Sequence, residues 1–330
     1  MPPRRALVRT AAAVLGLVTV CSLTACGASA DGSTDTVDAK NADSGDSKVN
    51  LGPDQHRVTT PKVDSIAALV PEAVRERGTL EIVRTTGTAP PLSFYATDDK
   101  TVIGVEPDIA SLIANVLGLK PHFNTVDWAN IFVGLDSGKY DVGLSNITVT
   151  EERKEKYDFA TYRLDNLAFE AKKSAGWKVR KPADVAGRTI AVGSGTNQEK
   201  LLVTWSEQNV KKGLEPTDIK YYQRATDYYL ALGSGRIDAY LGPNPTAAYH
   251  VASAGQSEII GTYSGGGADV QGEIAATTKK DNELVKPIQE ALNTVMRNGT
   301  YQKVLDRWGL ANEAVPSSEL NPRGLPRTNQ

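Results

Sequence analysis

Between about residues 78 and 310 the chain alternates short β-branched runs with stretches whose apolar residues recur at helical spacing. The run 80–85 reads as a strand, and in 109–117 the apolar positions 109, 112, 113, 116 and 117 share one helical face before Gly118 ends it. A strand over 121–126, a helix over 128–137 and a strand over 140–144 follow, and a helical stretch opens near Thr150. A second set begins after Trp177: strand 188–192, helix 197–210, strand 219–222, helix 226–232 and strand 237–241. The last helical stretch, 282–298, carries Leu284, Ile288, Leu292 and Val295 on one side, stops at Gly299 and leads into 301–308. This β-α-β-α rhythm predicts parallel strands. Two such units with a helical return at the end predict two α/β lobes and a cleft.

The two ends of the chain lack that rhythm. Residues 1–25 hold Arg4, Arg5 and Arg9, an apolar run over 11–20 and then small residues, the layout of an export signal. The box Leu23-Thr24-Ala25-Cys26 resembles the bacterial lipoprotein processing site, which implies cleavage before Cys26 and a lipid on its thiol. From 26 to 62 the sequence is mainly Ser, Asp, Thr, Ala and Gly, too poor in apolar area to offset ordering entropy, and is expected to be a disordered tether. A flexible tail is expected over 313–330.

Composition narrows the chemistry. With 40% hydrophobic residues the chain can bury a large core, and 37 basic against 39 acidic residues give a net charge of −2 that favours no nucleic acid. Cys21 and Cys26 are the only cysteines, and the first leaves with the signal, so no internal disulfide is expected. His56, His122 and His250 are far apart, which argues against a metal site, and nothing calls for a cofactor.

In doubly wound sheets ligands sit where strands end and helices begin, against unpaired N–H groups and the positive end of the helix dipole. Two segments have that character. In 145–153, Asn146 and Thr148 alternate after the strand 140–144 and offer hydrogen bonds, while the guanidinium of Arg153 matches a carboxylate bidentately. The plainer reading, which the pattern alone favours, is a capping Thr150 followed by a solvated charge run. In 193–199, Gly193 and Gly195 permit close backbone approach, and Thr196 with Glu199 has capping-box spacing.

Six motifs occur in order: PPLSF at 90–94, GVEPDIA at 104–110, the long run 127–160, GRTIAVGSGTNQE at 187–199, GRIDAYLGPNP at 235–245 and GTYQKVLDRWG at 299–309. Together they resemble bacterial solute-binding protein family 3, the polar amino acid substrate-binding lipoproteins of ABC transporters. The resemblance implies a two-lobe periplasmic-binding-protein-like fold of type II, with mixed sheets and a ligand cleft between lobes joined by two hinge strands. It implies lobe 1 over 63–164, lobe 2 over 165–268 and a return to lobe 1 over 269–312. It makes Arg153 the clamp for an α-carboxylate, assisted by Asn146 and Thr148, with Thr196 and Asn197 completing the cage and Trp128 packing on the ligand. The implied partners are a small carboxylate-bearing amino acid or derivative, the permease subunits of an ABC importer, and the membrane through a lipid on Cys26. A monomer anchored on the extracytoplasmic face of the cell membrane is expected.

This sequence departs from the family in two places. Where relatives place an aspartate for the ligand's ammonium group, the spacing puts Pro243, with Asn244 beside it offering only an amide. A ligand with a substituted or missing α-amine is implied, unless an acid such as Glu106 meets the ammonium. Where relatives carry an aspartate for a basic side chain and a tyrosine platform, Thr86 and Ala89 stand, leaving Tyr95 or Tyr162 as substitutes. No Ser or Cys is paired with a His and a carboxylate in a way that suggests nucleophilic catalysis. A sensing lipoprotein and a dehydratase-type enzyme on the same fold are the competing functions.

Overall fold

The structure, a computed structural model, describes residues 49–85 and 89–327. The expected signal, Cys26, the tether up to 48, Thr86 and the last three residues lie outside the described residues.

Two short helices, α1 (Asp64–Ala67) and α2 (Glu72–Arg77), lead into β1 (Thr79–Thr85). In β1 the pleat sends Leu80 and Ile82 into one apolar cluster and Val83 into another on the opposite face. A hairpin, β2 (Phe94–Tyr95) with β3 (Val102–Ile103), precedes α3 (Val105–Leu117), nearly every residue of which is buried. Gly118 ends α3 in the left-handed region at φ 69°, where a glycine carries no Cβ penalty, and its N–H returns to Ala114 and Asn115. Then come β4 (Lys120–Val126), α4 (Trp128–Asp136) and β5 (Val142–Gly143), with β1 parallel to both β4 and β5. These pairings follow the alternation read from the sequence.

The helix expected from Thr150 is one 3-10 turn, Arg153–Glu155. It is cut short because the chain must enter β6 (Tyr157–Lys172), a 16-residue strand that the sequence reading missed. β6 belongs to both halves of the molecule. Its first part, to Asp165, pairs antiparallel with β11 (Gly272–Lys279), and its second part, from Asn166, pairs with β10 (Ser257–Ser264) and β9 (Ala239–Pro243).

The second half holds β7 (Thr189–Val192), α5 (Asn197–Lys211), β8 (Asp218–Tyr221), α6 (Ala225–Ser234), β9 and α7 (Asn244–Ala254). β7 lies parallel to β8 and β9, with Ile190 and Val192 in one cluster and Ala191 in another. The whole sheet runs β4-β1-β5-β11-β6-β9-β7-β8, with β10 also on β6. It is therefore mixed. The parallel pairs sit within each half, and the antiparallel pairs of this sheet all involve β6, which crosses between halves, or β11, which follows the return crossing. After β11 the chain returns to the first half through α8 (Val285–Arg297) and α9 (Thr300–Arg307), whose apolar faces pack on α3.

The return crossing is tight. Gly265 N–H donates to the carbonyl of Asp165 at 2.8 Å, and a Cβ at Gly265 would lie 1.7 Å from Asp165 Oδ2. Only glycine permits that approach.

Neither polar end is loose where it is described. Residues 49–62 lie on the first lobe: Val49 and Val58 pack on its core, Arg57 pairs with the buried Asp108 at 2.6 Å, and Asn298 holds Thr60. A few anchors on an existing surface suffice where the segment could build no core of its own. The expected flexible tail is likewise ordered over 313–327. Leu320 bridges Ala160 antiparallel, Thr161 N–H donates to the Glu319 carbonyl, Leu325 N–H donates to the Val149 carbonyl while its own carbonyl accepts from Glu151 N–H, and Glu313 is buried against Arg163. The tail covers the edge of β6 that β11 leaves open, and strand pairing needs backbone groups more than apolar side chains.

Candidate functional site

The parallel strands of both halves end on the same gap. The end of β1, the segment after β5, the turn after β7 and the end of β9 face one another there, with the N-termini of α4, α5 and α7 beside them. An inner cavity of about 110 Å³ opens between Asn146, Thr196, Asn197, Tyr240 and Pro243. An outer cavity of about 1100 Å³ reaches solvent past Arg84, Tyr95 and Arg224. Thr85, Trp128, Ser194 and Gln223 border both, so the two are one continuous cleft.

Arg153 lies between the halves. Its Nη1 donates to the carbonyl of Thr148 at 3.0 Å and its Nη2 to the carbonyl of Gly195, in the other half, at 3.2 Å. The guanidinium is 5.4 Å from the ring centre of Trp128 and 5.2 Å from that of Phe132. Trp128 Nε1 donates to the same Gly195 carbonyl at 3.2 Å, so one oxygen of the second half receives both. Burial pulls the Arg153 pKa down to about 10, with Asp165 and Glu152 opposing the fall, which leaves it charged at neutral pH. No carboxylate pairs with it among the described residues.

Of the expected set, Asn146, Thr196, Asn197 and Trp128 line the inner cavity. Asn146 takes the left-handed conformation at φ 53°, which asparagine tolerates, and its Oδ1 accepts from Arg163. Thr196 caps α5, accepting from Glu199 N–H at 3.2 Å and donating to the Gly193 carbonyl at 2.7 Å, so its hydroxyl is occupied by the cap. The N–H groups of the first turn of α5 remain without intrahelical acceptors. Asn197 Nδ2 donates to Asp165 at 3.0 Å and to the Gly265 carbonyl at 3.3 Å.

Three expected residues stand elsewhere. The Thr148 side chain is fully buried and donates to Asp165 Oδ2 at 2.7 Å, so what this residue gives the cleft is a carbonyl that orients Arg153. Asn244 opens α7 half-buried and lines neither cavity; Thr246, two residues on, lines the inner one. Arg153 is behind both cavity walls rather than in them, held by the Gly195 carbonyl. The alternatives for a substitute platform divide: Tyr162 is core, bonded to Glu106, while Tyr95 borders the outer cavity. Glu106 meets Arg163 and Tyr162 in the interior and has no face on the cleft.

The reading missed the group at the crossing. Asp165 accepts from Thr148 and Asn197, and burial raises its pKa to about 6 against the pull of Thr148, Arg163 and Asn197. Beside it Arg163 pairs with Glu106 at 3.1 Å and with Glu313. It also missed Arg84 and the tyrosines of the second half, of which Tyr228 and Tyr240 stack at 3.6 Å. Runs such as Asp227-Tyr228-Tyr229-Leu230 carried a weak signal as part of a helix, and nothing in them marked a cavity wall.

Residues 82–311 match the model of a family described as bacterial extracellular solute-binding proteins, family 3. The chain is 32% identical over 237 residues to the L-cystine-binding protein TcyJ of Escherichia coli K12, covering 71% of this chain and 84% of that protein. Among solved structures, an ancestral arginine-binding protein bound to arginine superposes with a TM-score of 0.61 at 30% identity, covering 70% of this chain and 98% of the other. The ancestral amino acid-binding protein AncCDT-1, a precursor of cyclohexadienyl dehydratase, does so with a TM-score of 0.59 at 27% identity, covering 73% and 98%.

Proposed function

The chain belongs to the bacterial extracellular solute-binding proteins, family 3, and from that premise we propose that it captures an amino acid or amino-acid derivative by its carboxylate and hands it to the permease of an ABC importer. The observation that carries the reading is the reach of Arg153 from the first lobe to the carbonyl of Gly195 in the second. A carboxylate is a stronger acceptor for a guanidinium than a peptide carbonyl, because both partners are charged and two parallel bonds form. A ligand carboxylate therefore displaces Gly195 from Arg153. The N–H groups at the start of α5 supply the remaining donors once the second lobe folds over it.

Binding and closure are one equilibrium. In the open form the ligand meets only the first lobe, and the contacts from Asn197's lobe are gained on closing, so the ligand shifts the population toward the closed form. The permease reads that form. Relatives are named as cystine- and arginine-binding proteins, one of them as the arginine-binding protein of an ABC transporter, which supports binding rather than turnover. The lipid anchor at Cys26, the monomeric state and the extracytoplasmic face of the membrane belong to the same proposal. Among the described residues no helix is long and apolar enough to cross a membrane, and no three acid, His or Cys side chains gather for a metal.

The test is Arg153→Ala with calorimetry on whichever ligand stabilises the wild-type chain. A loss of about 2 kcal/mol or more in binding is expected, since charge-assisted bidentate bonds are strong. Unchanged affinity with the fold intact discards the assignment.

A further inference from the structure

We propose that the ligand carries a second acidic group, met by Arg84, and no free primary ammonium. This rests on the reading of Arg153 as the clamp for the first carboxylate. Arg84 sits on β1 at the cleft and is only 2% exposed, yet among the described residues no carboxylate pairs with it. Its three hydrogen bonds all go to uncharged acceptors: Nε to Ser93 Oγ at 2.6 Å, Nη1 to Thr125 Oγ1 at 2.8 Å and Nη2 to the Ser93 carbonyl at 3.1 Å. The Tyr95 ring stands 5.0 Å from the guanidinium. A guanidinium has five N–H donors, and the Tyr95 side chain is a further uncharged partner, so about one remains.

Other arginines that reach the interior are treated differently. The fully buried Arg163 has Glu106 and Glu313, and the partly buried Arg57 has Asp108. A cation removed from water without a counter-charge is costly, and the missing charge is most simply brought by what fills the cavity it borders. Arg84 lines the outer cavity, where Arg224 adds a second cation and Asp127 is the one acid among the described lining residues. Because the outer and inner cavities share four wall residues, one small molecule spans from Arg153's side to Arg84's.

The amine half of the inference comes from the inner wall, which holds no carboxylate among its described residues. Pro243 borders it, where the family resemblance implies an acid for an ammonium group. The nearby acids are committed: Asp165 to Thr148 and Asn197, Glu106 to Arg163 and Tyr162, and Glu199 to the Gly195 N–H at 2.6 Å. In the inner cavity an ammonium group would meet only neutral described side chains, and the outer cavity sets two guanidinium groups against the single carboxylate of Asp127. A dicarboxylate, or an acidic amino acid acylated on nitrogen, meets the same surroundings with matching charge.

The experiment is a thermal-shift panel on the full chain, followed by calorimetry. The probes are the twenty free amino acids, N-acetyl-L-aspartate, N-acetyl-L-glutamate, N-acetyl-L-glutamine and the four- to seven-carbon aliphatic dicarboxylates. The strongest binder is expected among the diacids without an ammonium group, at least about tenfold tighter than any free amino acid. Arg84→Gln should remove the preference of N-acetyl-L-glutamate over N-acetyl-L-glutamine, and Arg84→Lys, which keeps the charge, should retain part of it. Pro243→Asp should raise affinity for free L-glutamate by about tenfold while keeping the fold, because aspartate is a favoured residue at the N-cap of α7, which Pro243 occupies. The inference is overturned if a free amino acid binds most tightly, if no diacid binds, or if Arg84→Gln leaves the preference unchanged. Where a free amino acid wins and Arg153→Ala abolishes its binding, the transport reading stands and only the ligand class falls.

Discussion

Arg163 and Arg84 are both buried, but the first is sealed in by two carboxylates at the crossing between lobes and the second meets only hydroxyls, a carbonyl and a ring at the cleft. At the crossing, the guanidinium's charge is met within the chain, and the ion cluster holds the pieces of one lobe together, since Glu106 comes from α3 and Glu313 from the C-terminal segment. At the cleft, charge is left open toward a cavity. The difference separates an ion cluster that serves the fold from cations that serve a ligand, a distinction that burial alone does not make.

The largest expected effect breaks the closed side of the comparison. Arg163→Ala leaves Glu106 and Glu313 buried without a cation and should cost about 3–5 kcal/mol in urea unfolding. Deleting the chain after residue 312 removes Glu313 and uncovers β6, and should lower stability by a similar amount, read as the loss in urea midpoint. If Arg84→Gln costs as much in the ligand-free protein, the two arginines have the same role and the contrast fails.

A smaller change probes the joint itself. Asn197→Ala takes one donor from Asp165 and one contact from the Gly265 carbonyl, with about 1–1.5 kcal/mol expected in stability and a further weakening of ligand binding by calorimetry. The pH dependence follows from Asp165, whose pKa rises from 3.8 to about 6 on folding. Between those values the folded chain holds more protons than the unfolded one, so this group's contribution falls as pH climbs from about 4 to about 6, then levels off. Urea melts of wild type against Asp165→Asn across that range isolate it, and a contribution that rises with pH reverses the assignment. The smallest expected effect is Trp128→Phe, which loses one hydrogen bond to Gly195 and about 0.5–1.5 kcal/mol from the closed form. Ligand dissociation rates report it.

The sequence made the elements that alternate within each lobe legible, because α3, α5 and α8 show apolar spacing and their strands are short and β-branched. The elements that join lobes were not legible. β6 mixes Tyr157, Asp158, Arg163 and Asp165 with apolar residues, and its polar positions make sense only beside partners such as Glu313, far along the chain. The same holds at the site. Asn146 and Thr196 were found from the strand-to-helix turns that carry them, and Asn197 and Trp128 from the family resemblance. Arg84 was passed over inside an ordinary strand, since nothing local tells a buried arginine with a partner from one without. The described parts of the polar ends, 49–62 and 313–327, were misread because composition reports what a segment can bury alone, and both stretches borrow a surface.

The hydrogen bond between Gly265 and Asp165 has a practical consequence. The polypeptide between these residues departs and comes back through a single doorway, with its two cut points already side by side. That stretch forms a cassette, exchangeable between homologues by two seams, and a chimera so built keeps the arginine-bearing half while swapping the opposing wall.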